Sequence, residues 1–167
     1  MASRPSTRPR PGTPTAQVPR WLRPKLDRGQ LLDLDLAHHE NLDGIHAGEQ
    51  NETLLWHLVE SVFTWSKVAE LLGRHQAEMA AQQEMATRVV ERYGRTGVIG
   101  FEPLDYQVAC RGVGVMSELA RATDVATAQL AAAWSEQLAD SLRAQAQDAQ
   151  AAAMARGLAI TAAAPPR

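Results

Sequence analysis

Apolar residues recur every three or four positions from residue 30 onward, the spacing that places them on one face of a helix. No proline interrupts this pattern between Pro24 and Pro103. The spacing predicts five helices, at about 30–45, 51–72, 76–93, 103–122 and from 124 to about 156. The connections between them are short, so we expect an all-α fold: an antiparallel bundle of four main helices preceded by a short N-terminal helix.

The second helix has the clearest pattern, because its apolar residues from Leu54 to Leu72 form one continuous stripe. Trp56 and Phe63 fall outside that stripe, on a flank of their own. Large aromatic side chains on a second flank indicate a second packing surface, which meets either a neighbouring helix of the same chain or another chain. We therefore expect Trp56 and Phe63 to bind a partner, and the simplest such partner is a second copy in a homodimer.

Three glycines lie at the end of the predicted third helix or inside the fourth. Gly94 is expected to end the third helix, as glycine does at many helix C-termini. Gly112 and Gly114 lie inside the fourth helix, where each costs about 1 kcal/mol relative to alanine. The pair therefore predicts the close approach of a neighbouring backbone.

Charge divides the chain into unlike parts. Residues 1–28 hold one acidic residue, six of the nine prolines and seven basic residues, Arg4, Arg8, Arg10, Arg20, Arg23, Lys25 and Arg28. Because the whole chain has a net charge of −2, residues 29–167 carry a net charge of −8. Proline fixes φ and removes backbone donors, so we expect 1–28 to be a disordered basic arm, 29–157 the helical bundle domain and 158–167 a disordered tail.

Several functional classes lack support in the sequence. The apolar runs are far shorter than the roughly 20 residues that cross a bilayer, so no contact with a membrane is expected. Cys110 is the one cysteine, so no intramolecular disulfide can form, and we expect a cytoplasmic protein. The apolar residues around Cys110 predict a buried, inert thiol. No titratable pair has the spacing of an acid–base or nucleophilic site, so we expect a non-enzyme without a cofactor.

Two alternative functions remain open. The step from Ala69 to Gly73 has helix-turn-helix spacing, and the basic arm would supply phosphate contacts to such a DNA-binding regulator. His46 with Glu49, and His57 with Glu60, share helix faces as metal ligands can. A metal-binding bundle would also need Glu-x-x-His pairs, which the chain lacks, so these histidines, like the neighbouring His38 and His39, are interpreted as surface residues.

The preferred hypothesis is a small binding or regulatory protein that acts through protein–protein contacts. Asp33, Asp35, Glu40 and Asp43 give the first helix an acidic surface that could enter the basic groove of a nucleic-acid-binding partner, as an inhibitor that mimics phosphate would. Arginine outnumbers lysine 15 to 2 and alanine is abundant. Both features are typical of GC-rich bacterial genomes. We therefore expect a bacterial protein, encoded on a mobile element.

Overall fold

The apolar periodicity of the sequence corresponds to five α-helices. The computed structural model describes the backbone of residues 23–163 and the side chains of residues 23–156. Within that part of the chain there is no β-strand, and the helices are α1 (Arg28–His46), α2 (Glu52–Leu72), α3 (Gln76–Thr96), α4 (Pro103–Ala122) and α5 (Val125–Ala163). The predicted all-α class is confirmed, and the packing contacts between the helices fit a bundle.

Local capping fixes most helix boundaries. Asp27 and Gln30 form a reciprocal capping box at the start of α1, and the Asn51 side chain accepts a hydrogen bond from the Thr53 amide at the start of α2. Gly73 ends α2 in the left-handed conformation, with a φ of 67°. The first helix was expected to be short, but with 19 residues it is nearly as long as its neighbours, because its capping box starts the helix at Arg28.

The helix α2 lies at the centre of the core. Its stripe of leucine and valine side chains is buried, and it packs most extensively against α5, then against α3 and α1. The helix α4 completes the bundle by packing against α1 and α3. The fold is therefore built around the helix whose apolar pattern was clearest in the sequence.

Trp56 and Phe63 are not exposed, which corrects the expectation that they form an outer surface. Trp56 is 5% exposed and Phe63 7% exposed within the single chain. The Trp56 ring meets Tyr93 of α3 edge to face, with 6.4 Å between ring centroids, and the Arg143 guanidinium of α5 lies 4.9 Å from the ring. This flank of α2 is covered from inside the chain, so the two rings are unavailable as anchors of a homodimer.

The glycines serve purposes other than those predicted. Gly94 does not end α3; it lies within the helix, where a Cβ atom would stand 3.3 Å from the Ala146 Cα atom of α5. The helix ends three residues later at Gly97, which has a φ of 70°. Beside Gly112 lies the side chain of Gln82 rather than a backbone, and a Cβ atom on Gly114 would meet no atom within 4 Å outside its own helix backbone.

The last residues of the predicted arm are ordered. Lys25 forms an isolated antiparallel bridge with Asp124, the Val125 amide donates to the Pro24 carbonyl over 2.9 Å, and Lys25 Nζ donates to the Ala122 carbonyl over 2.8 Å. The extended junction between α4 and α5 leaves backbone groups free for these contacts. The disorder predicted for 1–28 is therefore wrong for residues 23–28, and residues 1–22 lie outside the described residues.

The helix α5 is longer than predicted. Its backbone continues to Ala163, so the predicted boundary at residue 157 falls inside a helix rather than at its end. The sequence beyond Leu142 is rich in alanine and glutamine, which favour helix even without large apolar anchors. Residues 164–167 lie outside the described residues.

Candidate protein-interaction surface

The outward side of α1 carries two exposed leucines inside a cluster of carboxylates. Leu32 is 66% exposed and Leu36 is 56% exposed, one turn apart. Asp33, Glu40 and Asp43 are also exposed, and helix geometry places all five residues within an arc of about 100°. We call these five residues the α1 outer face. A pair of leucines ringed by charge is the pattern of a helix that binds in an apolar groove.

Asp35 does not belong to this face, which corrects the predicted acidic surface. It lies on a flank of α1, about 60° around the helix from Leu32, where its carboxylate accepts a hydrogen bond from the Ser117 hydroxyl of α4. Arg121 Nη2 lies 3.8 Å from the second oxygen of the same carboxylate. Asp35 therefore joins α1 to α4, while the other three predicted carboxylates remain free to meet a partner.

A second exposed apolar patch lies on α2 and α5. Leu130 is 62% exposed and Trp134 is 40% exposed, one turn apart on α5, and Leu71 of α2 is 39% exposed. The Lys67 ammonium lies 5.3 Å from the centroid of the Trp134 ring. This patch carries less charge than the α1 outer face, because Lys67 is itself paired with Glu70.

The core contains a polar cluster that sequence analysis missed. His38, interpreted as a surface residue, is buried, and its Nε2 atom lies 2.6 Å from the Ser61 hydroxyl of α2. The ring also meets Trp65 edge to face, with 6.4 Å between centroids. His38 lies one turn before the buried Leu42 and two turns before the buried Ile45, and this position on the apolar side of α1 is the signal that could have identified it.

This polar cluster encloses very little space. The cavity beside His38 offers about 10 Å³ for the centres of water-sized molecules, which is room for about one water. The Nδ1 atom of His38 has no hydrogen-bond partner, and the nearby Asp35 carboxylate is bound to Ser117 and Arg121. A serine nucleophile needs a base that a third group orients, so the Ser61–His38 pair lacks that part.

His38 is expected to make stability depend on pH. Burial lowers the pKa of His38 below 6.5, an effect that Asp35 opposes and His39 reinforces; Ser61 and Trp65 are the uncharged groups against the ring. The unfolded chain therefore binds the proton at higher pH than the folded chain does. The stabilisation is complete above pH 6.5 and is lost as the pH falls from there through the lowered pKa.

Urea unfolding at pH 7.5 and pH 5.0 measures this effect. We expect His38→Gln to lose less stability than the parent protein on acidification, because the amide keeps a partner for Ser61 without titrating. The control is His57→Gln, which changes an exposed histidine on α2. An equal loss of stability in the parent and in His38→Gln would contradict this assignment.

The structure places the candidate metal ligand His46 and the thiol of Cys110 in surroundings that the sequence did not predict. His46 stacks on Tyr106 with 3.8 Å between ring centroids, and among residues 23–156 no three His, Cys, Asp or Glu side chains are grouped to hold a metal ion. Cys110 is exposed, which corrects its predicted burial. A hydrogen bond with Cys110 is the main cause that raises the pKa of the Tyr106 hydroxyl above 10.0.

The α2–α3 step carries exposed side chains of both charges. Met79, Met85 and Val89 turn one side of α3 into the core, and its exposed side carries Glu84 and Glu91 together with Arg88 and Arg95. Of the predicted phosphate-binding residues, Arg23 lies 4.0 Å from the Asp124 carboxylate, Lys25 binds the Ala122 carbonyl and Arg28 is exposed on α1. The other four, Arg4, Arg8, Arg10 and Arg20, lie outside the described residues.

Comparison with protein-family models, curated proteins and solved structures finds no match for this chain. No helix within the described residues has the length and apolar character needed to cross a membrane. The function is therefore argued from the surfaces of the bundle itself.

Proposed function

We propose that this chain is a non-enzymatic binding protein that regulates a protein partner through the α1 outer face. The observation that carries the proposal is the exposure of Leu32 and Leu36 on that face. Exposed leucines contribute hydrophobic stabilisation only when another surface buries them. The neighbouring carboxylates keep the protein soluble while the face is uncovered. Asp33, Glu40 and Asp43 would then give the contact its specificity.

The partner that fits this face has an apolar groove edged by lysine or arginine. A protein whose groove normally binds nucleic acid has such an edge, and the net charge of −8 on residues 29–167 would steer the bundle towards it. We propose a bacterial, cytoplasmic inhibitor of that class, with origin on a mobile element. We take consecutive helices to be antiparallel, as the contact of Ser66 with the Met79 carbonyl across the α2–α3 turn supports.

Paired variants of the α1 outer face test this proposal. Two variants remove its chemistry separately: Leu32→Ser with Leu36→Ser, and Asp33→Asn with Glu40→Gln and Asp43→Asn. We expect each to weaken binding of a captured basic partner by about tenfold or more, since central anchors carry about 2 kcal/mol or more each. All five positions are exposed, so folding should be unaffected.

Matched controls lie elsewhere on the bundle. Leu104→Ser changes an equally exposed leucine on α4, and Glu84→Gln with Glu91→Gln removes charge from α3. Immobilised parent and variant proteins are incubated with bacterial lysate, and each retained protein is quantified by mass spectrometry at low and high salt. Retention that the α1 variants and the control variants reduce equally would refute a specific role for the α1 outer face.

DNA binding is the second candidate, and the basic residues before α1 favour it. On α3, the exposed Glu84 and Glu91 would oppose contact with the phosphate backbone, whereas the exposed Arg88 and Arg95 would not. Metal binding ranks below both, since His46 is stacked on Tyr106. A homodimer remains a proposal without Trp56 and Phe63, and the patch at Leu130 and Trp134 is the surface left to support it.

A further inference from the structure

We propose that residues 1–22 of the same chain fold back onto the α1 outer face and cover it when no partner is bound. This inference rests on the same face as the proposed function and adds a regulatory element to it. The arm and the external partner would compete for Leu32, Leu36 and the three carboxylates. Binding of the partner would then require release of the arm.

The described part of the chain begins at Arg23, five residues before α1. The contacts of Pro24 and Lys25 with the α4–α5 junction fix the end of the arm close to the start of α1 at Arg28. Leu32 lies four residues into α1, about 6 Å along its axis. The 22 preceding residues span about 68 Å in the extended conformation that proline favours, against about 28 Å for the whole of α1. The arm is therefore long enough to follow the face from end to end.

The chemistry of the arm complements that of the face. Residues 1–22 contain four arginines and no acidic residue, and the adjacent Trp21 and Leu22 are its large apolar pair. The face presents two leucines, which suit the apolar pair of the arm, and three carboxylates, whose charge is opposite to that of the arginines. Five prolines within residues 1–22 restrict the unbound arm, which lowers the entropy lost on docking.

The arm provides a single natural reporter of docking. Trypsin cleaves poorly before proline, and Arg4, Arg8 and Arg10 each precede one, so the Arg20–Trp21 bond is the one readily cleaved bond in residues 1–22. Docking of Trp21 would protect that bond. The rate at which full-length protein loses residues 1–20 is measured by mass spectrometry, beside a synthetic peptide of residues 14–27.

We expect the bond in the parent protein at low salt to be cleaved at least about tenfold more slowly than in the peptide, since proteolysis follows the open fraction. Leu32→Ser with Leu36→Ser should remove most of this protection, as should Asp33→Asn with Glu40→Gln and Asp43→Asn. Leu104→Ser should leave it unchanged. Salt at 1 M should weaken the protection, because the Debye length falls to about 3 Å and the attraction between the arginines and the carboxylates is screened.

Three results would overturn the proposal. The first is a parent rate equal to that of the peptide. The second is protection that the α1 variants leave intact; if Leu130→Ser then removes it, the arm lies on the α5 patch. The third is protection that grows with protein concentration, which would assign the arm to a second copy. A different result would refute the proposed function: in protein lacking residues 1–22, the α1 variants retain the captured partner as well as the parent sequence does.

Discussion

Replacing Asp105 with alanine is expected to lower the free energy of unfolding by about 1.5–3 kcal/mol, because two arginines that themselves reach solvent lose the buried carboxylate that they share. Asp105 lies in the first turn of α4, with its side chain 3% exposed. Arg88 of α3 approaches one oxygen with Nη2 at 2.9 Å and Nε at 3.1 Å, and Arg92 Nη1 lies 3.5 Å from the other. The negative charge also suits the N-terminus of a helix.

The same carboxylate orders the connection between α3 and α4. Arg92 also donates to the Gly100 carbonyl and pairs with Glu102 over 2.9 Å, so the loop 97–102 depends on the position of that guanidinium. Without Asp105, Arg92 loses one of its three partners and the loop should exchange its amide protons faster. We therefore expect both a global loss of stability and a local loss of protection in residues 97–102.

Urea unfolding followed by circular dichroism measures the global effect, and hydrogen exchange measures the local one. The matched control is Asp140→Ala, which breaks an exposed pair with Arg143 of the same 2.9 Å length and should cost about 0.5 kcal/mol. Arg88→Ala combined with Asp105→Ala completes a double-mutant cycle. A loss below about 1 kcal/mol for Asp105→Ala would show that solvent replaces the arginines.

The sequence predicted the helices better than their ends. The bounds of α4 were correct, since Pro103 is favoured in a first turn and apolar spacing continues to Ala122. The end of α3 was placed at Gly94, because glycine is permitted equally at a helix end and where another helix passes closely. Sequence does not separate these two uses, since the second depends on where α5 lies.

The candidate surface was only partly predictable. Leu32 and Leu36 were grouped with the apolar pattern of the first helix, yet they lie well away from the stripe formed by Leu42 and Ile45. Separating the two sets by angle would have revealed the exposed pair. The role of Asp35 could not be seen in the same way, because it depends on Ser117 of α4, 82 residues further along the chain.

Trp56 was the residue whose surroundings sequence described least well. Periodicity shows which flank of α2 a side chain occupies, but not whether that flank meets another helix of the chain or another molecule. Here α3 and α5 supply the cover, through Tyr93 and Arg143. A helix with two apolar flanks is expected at the centre of a bundle, and this reasoning favours internal packing whenever later helices are long enough to reach it.

Trp56→Ala is accordingly expected to lower the free energy of unfolding by about 3–5 kcal/mol and to leave the native mass unchanged. The substitution removes a ring that is 5% exposed, together with its contacts to Tyr93 and Arg143. Trp134→Ala is the matched control, because its ring is 40% exposed and should cost much less.

Urea unfolding gives the stability of both variants, and light scattering gives their masses in relation to the 18.2 kDa of one chain. If Trp56→Ala halves the mass without a loss of stability, the ring belongs to an interface between chains and the internal packing is refuted. If the mass is instead constant and the protein is strongly destabilised, α3 and α5 are the partners of Trp56. In that case any binding surface of α2 must be sought among its exposed residues, because the flank that carries Trp56 is part of the core.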